Sequence, residues 1–256
     1  MRLSVVIITF NEAANIAACL DSVQFADECI VLDNGSTDGT HDIVLARGAK
    51  LAKSDDWPGF GLQKNRALAL ATGDWVLSLD ADERVTPELQ AEIIAAMRGT
   101  ESLAYTVPRL SSFCGSAIRH SGWYPDHVLR LFPRTKGRFS DDLVHEKVLT
   151  ELSVRQLKSH LLHESFRSFE SVLDKVNRYS TASALGMHQK GRTGSFSSAL
   201  GHGVWAFIRT YFLRLGFLDG RMGFAVAVSS AEGSSYRFLK LWLIQPELAL
   251  NEFEIG

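Results

Sequence analysis

Cysteine and proline are scarce in this chain, with three Cys and six Pro in 256 residues. Cys19, Cys29 and Cys114 cannot all pair and show no C-x-x-C spacing. That excludes a disulfide framework, points away from a zinc site, and suits a reducing cytosol. No segment repeats at a fixed period, which excludes solenoids and propellers. Long apolar runs are missing as well. The longest uncharged stretch, 193–208, contains His202 and several Ser and Gly, and it falls short of the ~20 apolar residues a spanning helix needs. The brief apolar run at the start is not followed by a small-residue cleavage site, so it is expected to be a buried strand and not a secretory signal. Disorder is excluded by 46% hydrophobic and 22% charged residues.

The formal charge of −2 is divided unevenly. Residues 1–100 carry a net −7, and the remainder a net +5. An acidic front half makes a poor nucleic-acid surface, because phosphate binding wants clustered cations, so nucleic acid is not expected as a partner. The same acids suit a metal ion. The basic back half suits an anionic membrane or ligand.

Strand and helix signals alternate through the first hundred residues. Continuous β-branched or apolar runs predict strands at 3–9, 28–32, 49–53 and 75–79. Helical spacing predicts helices from Asn11 as N-cap to Leu20, at 40–46, at 60–71, and from Thr86-Pro87-Glu88 onward. This order implies an α/β fold: a mostly parallel sheet with helices on both faces. Strand-like segments follow at 103–107, 128–132 and 143–149, then helices at 169–185, 198–218 and 235–245. The expected division is residues 1–165 for the α/β domain and 166–256 for a helical extension.

In such sheets ligands bind beyond the carboxyl ends of the strands. Asp80-Ala81-Asp82 leaves the fourth predicted strand there. Two carboxylates one residue apart can converge on a hard divalent cation, Mg2+ or Mn2+, whose other ligands are diphosphate oxygens and water. An acidic turn is the plainer reading of the same string. Asp33-Asn34-Gly35-Ser36 follows the second strand. Its carboxylate can accept the N3–H of uracil, and its glycine permits close backbone approach to a ribose. A turn with a helix cap explains those residues equally.

These motifs occur in a fixed order: Thr9-Phe10-Asn11-Glu12, then Asp33 to Thr40, then Lys64-Asn65 ahead of Ala71-Thr72-Gly73, then Leu79-Asp80-Ala81-Asp82-Glu83. In this the chain resembles the family 2 glycosyltransferases. The resemblance implies the GT-A fold, a nucleotide-diphospho-sugar donor and inversion of the anomeric centre. It further implies that Thr9, Asn11, Glu12, Asp33, Lys64, Asp80 and Ala81 serve the donor nucleotide, with Asp82 and Asp80 at the metal. Asn34 stands where that family often has a second Asp. Lys64 stands where it often has Arg, so a point charge replaces a bidentate fork.

Trp123-Tyr124-Pro125-Asp126, Arg130-Leu131-Phe132 and Val144-His145-Glu146 are similar to the branch that adds β-1,4-glucose to the inner core of lipopolysaccharide. That similarity implies UDP-glucose as donor, a heptose of the core as acceptor, and a cytoplasmic protein peripheral on the inner face of the membrane. Inverting transfer needs a carboxylate base, and Asp141, Asp142 and Glu146 are the candidates. Glu146 is favoured because His145-Glu146 sits where the branch carries its His-Glu pair, with Asp142 second. His163 is a candidate metal or diphosphate ligand, or a satisfied core histidine. Trp123 and Tyr124 are a candidate acceptor-sugar platform, or a packed aromatic pair.

The 193–245 segment holds ten aromatics and five Lys or Arg against two acids. That composition fits helices lying in an anionic membrane interface, with core helices or an oligomer contact as the alternative. Other functional classes stay open: transfer of another sugar or to another acceptor (protein, polyprenyl phosphate), or a non-catalytic glycan-binding or membrane scaffold.

Overall fold

The computed structural model describes residues 1–99, 103–141 and 146–244. By packing, the chain forms two units: Met1–Leu110 with Pro125–Glu164, and Ser111–Tyr124 with Ser165–Gly256. Residues Ser111–Tyr124, expected in the first domain, thus group with the C-terminal helices.

The first unit alternates strand and helix: β1 (Leu3–Thr9), α1 (Ile16–Asp21), β2 (Glu28–Asp33), α2 (Thr40–Ala46), β3 (Lys50–Lys53), α3 (Phe60–Ala69), β4 (Trp75–Asp80), β5 (Glu83–Val85) and α4 (Pro87–Met97). There follow β6 (Ala104–Phe113), β7 (Ser116–Ala117), β8 (Asp126–Pro133), β9 (Arg138–Phe139), β10 (Val148–Leu149), β11 (Val154–Gln156) and β12 (Leu161–Phe166). The main sheet runs β3-β2-β1-β4-β8-β6-β12-β5. Its first four strands are parallel, and β8 joins β4 antiparallel.

A parallel strand covered on both faces reads as a continuous apolar run, and β1 does from Val5 to Ile8. Val5 and Ile7 face one core with Ile16 and Cys19 of α1, Val44 of α2, and Leu89 and Ile93 of α4. Val6 faces the other with Ala67 and Leu68 of α3, Phe132 and Phe139. The period of two along the strand therefore fills two separate layers. Its register sets Thr9 opposite Asp33 and Ile8 opposite Asp80, so the carboxyl ends of β1, β2 and β4 lie side by side.

Asn11 is not a helix N-cap. It holds a left-handed conformation (φ 55°), and α1 begins only at Ile16. Its side chain instead accepts a hydrogen bond from the Thr37 N–H at 2.9 Å, a tertiary partner that pulls it out of the helix. Of the strand expected at 143–149, β10 is the part that falls among the described residues; Leu143, Val144 and His145 lie outside them.

The second unit is built on α5 (Phe169–Gln189), α6 (Phe196–Ile208) and α7 (Gly220–Leu243), with α7 packed against both others. The predicted helix at 198–218 ends at Ile208, and tighter or looser turns take over to Asp219. Conversely, α7 starts fifteen residues before the predicted 235. Glycine permits it: a Cβ on Gly223 would lie 1.8 Å from the Gly216 carbonyl oxygen. Phe113, Ile118, Val172 and Val226 form a core in this unit. Among the described residues no helix is long and apolar enough to cross a membrane.

Candidate active site

The loops after β1 and β2 are stitched together. The Asn11 N–H donates to Ser36 Oγ (2.7 Å), the Glu12 N–H to Thr40 Oγ1 (3.0 Å) and the Ala13 N–H to Asp38 (3.0 Å). The Glu12 carboxylate accepts from Asn15 Nδ2 (2.8 Å). Asp33 is fully buried at the centre of this lattice. One of its oxygens accepts from the Gly35 and Ser36 N–H groups (2.8 Å each) and meets His41 Nε2 at 2.6 Å; the other accepts from the Ser36 hydroxyl. Burial disfavours its charge, but these donors outweigh that and hold the carboxyl below its usual range. The Asp33 carboxylate is therefore largely engaged by its own turn, and a nucleobase would share Oδ2 with the Ser36 hydroxyl or displace it. Thr9 Oγ1 and Asn34 Oδ1, at the same strand ends, are buried with no hydrogen-bond partner. Buried polar atoms are rarely left unpaired, so these two mark a place where a ligand's polar groups would be satisfied.

Lys64 projects from α3 and is almost fully buried. Its Nζ donates to Asp80 (2.8 Å) and to Glu146 (2.7 Å), joining the strand-end acid to the candidate base. The next residue, Asn65, grips β9: its Nδ2 donates to the Phe139 carbonyl (2.9 Å) and its Oδ1 accepts from the Phe139 N–H (2.8 Å). A rung from the Ser140 N–H to the Lys147 carbonyl (2.8 Å) then leads into the β9–β10 pair, which places Glu146. Asp141 is exposed, and Asp142 lies outside the described residues.

A second cation meets Asp80 from the other side. Arg130 of β8, buried, donates to the free Asp80 oxygen (2.5 Å) and to Glu83, which also accepts from the Asp80 N–H (2.9 Å) and contacts Arg109 (3.4 Å). Arg109 in turn pairs with Asp126 (2.6 Å). Burial disfavours the Asp80 charge, yet Arg130 and Lys64 hold its carboxyl well below the carboxylate range. Burial pushes the Glu83 carboxyl up. Burial opposes the charge of Arg130, and Asp80 and Glu83 more than restore it. The sequence reading gave no role to Arg130 or Arg109. Arg130 stood only inside the Arg130-Leu131-Phe132 motif, and Arg109 in no motif, each as a cation within a strand.

Asp82 turns away from this network. The antiparallel pairing of β5 with β12 sets His163 opposite Glu83, and His163 Nε2 reaches Asp82 Oδ2 at 3.2 Å. Both side chains are partly exposed. The Asp82 carbonyl accepts from the Glu164 N–H (2.9 Å). Ala81 packs into the core, so only its backbone can face a ligand. Among the described residues no three His, Cys, Asp or Glu side chains form a ready metal cluster. Asp82 and His163 thus lie side by side, apart from the two cations that hold Asp80. Trp123, in the second unit, packs against Phe113 (5.9 Å between ring centroids) and Phe166 (6.1 Å), while Tyr124 is half-buried.

Residues 4–151 match the family Glycosyl transferase family 2, and the chain belongs to it. The fold is accordingly GT-A with a C-terminal helical extension. An uncharacterized glycosyltransferase of Rickettsia typhi is 32% identical over 253 residues, which cover 94% of this chain and 86% of the relative. The lipopolysaccharide core biosynthesis glycosyltransferase LpsC of Rhizobium meliloti is 32% identical over 270 residues, 98% of this chain and 94% of that one. Among solved structures, S. aureus TarS aligns with a TM-score of 0.48 at 19% identity, over 64% of this chain and 37% of TarS.

Proposed function

We propose that the chain transfers glucose from UDP-glucose to a heptose hydroxyl of the lipopolysaccharide inner core, inverting the anomeric centre. The observation that carries this reading is the Lys64 bridge between Asp80 and Glu146, which sets a carboxylate base beside the strand-end acids of a GT-A sheet. The likeness to LpsC supports the lipopolysaccharide acceptor. Glucose and uridine rest on the sequence resemblance.

In this reading Glu146 takes the proton of the acceptor hydroxyl. That oxygen bonds to the anomeric carbon as the bond from the carbon to the diphosphate oxygen breaks, and UDP leaves with the electron pair. Lys64 presents its positive charge to the leaving diphosphate. Thr9 and Asn34 satisfy their buried polar atoms on the nucleotide. Asn11, Glu12 and Asp33 keep the loops around it in shape, with Asp33 open to uracil beside the Ser36 hydroxyl or in its place. Arg130 holds Asp80 in place. A carboxylate and an imidazole 3.2 Å apart are a donor set that Mn2+ can take, and the carboxylate alone suits Mg2+, so Asp82, with His163 for Mn2+, would hold that ion. When bound, the ion neutralises charge that builds on the leaving group.

Exposed apolar side chains recur every fourth residue along α6, at Phe196, Leu200, Val204 and Ile208, and continue at Phe212. Exposed Arg214 and Arg221 follow in sequence. An apolar stripe with nearby arginines supports peripheral attachment to an anionic membrane, the surface on which a lipid-linked acceptor would be met.

Calorimetric titration with UDP and with GDP, each with and without Mn2+, tests the donor site; transfer from UDP-glucose to a core heptose tests the rest. Metal-dependent binding of UDP alone is expected. Binding of neither nucleotide would overturn the reading, and transfer only to a protein or polyprenyl phosphate would replace the acceptor.

A further inference from the structure

The three helices of the second unit enclose an open groove of 410 Å³, within the size range of small-molecule sites. Its walls come from Val172, Lys175, Val176, Tyr179, Ser180 and Ser183 of α5. Its floor is Ser230, Gly233, Ser234 and Arg237 of α7, and Phe166, Ala206 and Arg209 complete it.

The pattern is wrong for plain helix packing. Helices that pack together bury apolar residues at three- and four-residue spacing. The row Ser230, Gly233, Ser234, Arg237 keeps that spacing with no apolar side chain in it. Steric need does not explain Gly233, since a Cβ there would meet only Val176, at an ordinary 3.8 Å.

Charge in the groove is of one sign. Lys175, Arg209 and Arg237 line it, while the acids of the same helices, Glu170, Asp174 and Glu232, do not. Arg237 Nε is buried without a hydrogen-bond partner, and the guanidinium's nearest contact is a long one to Ser234 Oγ at 3.5 Å. Lys175 Nζ lies over the Phe166 ring at 4.8 Å and the Tyr179 ring at 5.7 Å, which fixes the ammonium at the wall. Farther along α7, Lys240 adds a cation whose contacts are all neutral oxygens, from Asn177, Ser180 and Thr181.

We propose that this groove is a binding site for the phosphomonoester of a phosphorylated saccharide. Arg237 and Lys175 take the phosphate, and Arg209 closes the open side. Hydroxyls of Ser183, Ser230 and Ser234 meet sugar hydroxyls, and Phe166 and Tyr179 supply the apolar surface that a sugar face prefers. The anion site stands on this unit alone; its use for acceptor capture rests on the transferase reading above.

The test is calorimetric titration of the full chain, without UDP or metal, using glucose 6-phosphate and glucose. Glucose 6-phosphate is expected to bind and glucose not. Arg237→Gln and Lys175→Gln should each weaken that binding about tenfold, the scale of one charge-assisted hydrogen bond, while affinity for UDP stays unchanged. Glucose 6-phosphate binding no better than glucose, or equally to both variants, would overturn the proposal. Sedimentation with vesicles containing phosphatidic acid separates the other phosphate source. Vesicle binding lost in Arg237→Gln, with no glucose 6-phosphate bound, would assign the groove to lipid headgroups and also overturn it. Because the glucose 6-phosphate titration contains no UDP and UDP affinity is measured separately, failure here and failure of the donor-site reading give different results.

Discussion

Lys64 and Glu146 stand 82 positions apart in the chain, and their charged atoms are 2.7 Å apart in space. The same ammonium holds Asp80, so the strand-end acid and the candidate base share one buried cation. What each should do when altered follows from that sharing.

Glu146→Gln keeps the shape and a hydrogen-bonding oxygen but cannot take a proton. Transfer should fall by about 10³-fold with UDP affinity little changed. Steady-state rates together with calorimetry check this, and near-normal turnover would move the base to Asp142 or Asp141.

Asp82 and His163 face each other outside the Asp80 network. Asp82→Ala should lose the stimulation of turnover by Mn2+, and His163→Ala should raise the Mn2+ concentration required by about 10–100-fold. Activity titrated against Mn2+ decides the matter. If both variants respond like the parent, the ion is held elsewhere.

Arg130 balances Asp80 and Glu83 inside the protein. Arg130→Met leaves buried Glu83 and part-buried Asp80 without that partner, and urea unfolding should show a loss of about 3–5 kcal/mol. Adding Glu83→Met to it should recover part of the loss, because removing both members of a buried pair costs less than removing one.

Glu28 sits at the opposite end of the sheet from the site. It accepts from Ser4 Oγ (2.6 Å), from the Thr72 N–H (2.6 Å) and hydroxyl (2.9 Å), and from Lys50 (2.7 Å). Burial disfavours its charge, yet these donors hold its carboxyl far below the ordinary value. A lowered folded-state value means stability that is present above the unfolded pKa of ~4.3 and is lost as pH falls below it. Glu28→Ala should cost about 2–4 kcal/mol at pH 7 and flatten that acid limb in pH-resolved thermal melts.

Replacing Phe196, Leu200 and Phe212 by Ser removes three exposed apolar groups from one stretch of surface. Sedimentation with anionic vesicles should drop while UDP affinity holds. Unchanged sedimentation would remove the membrane from the reading.

The layered α/β region was legible because its signals are local. β1 and α2 fall where β-branched runs and helical spacing put them. Asn11 is no cap because its partner, Thr37, lies in the neighbouring loop after β2, which only the folded sheet brings beside it. The early part of α7 carries Gly220, Gly223 and Gly233, which weaken a local helix signal. At Gly223 the glycine answers a close approach that only the folded state creates. Within the site, Asp80, Asp82, Lys64 and His163 could be picked from motif or residue chemistry. Arg130, Glu83 and Asp126 stood in motifs, but their pairing with one another and with Arg109 could not be read, since they come from three strands whose register no local pattern reports. The grouping of Ser111–Tyr124 with the later helices was hidden for the same reason: Phe113 and Trp123 meet Phe166 only after folding.

Both oxygens of Asp80 are answered from within the chain, one by a helix and one by a strand. The acid is therefore neutralised as the domain folds, with resident counter-ions in place before any visitor arrives. In the proposed reading, an incoming nucleotide has only to compete for a cation already in place. In that reading, folding of the domain and loading of its pocket are separate events, and the site keeps its charge balance with or without a nucleotide.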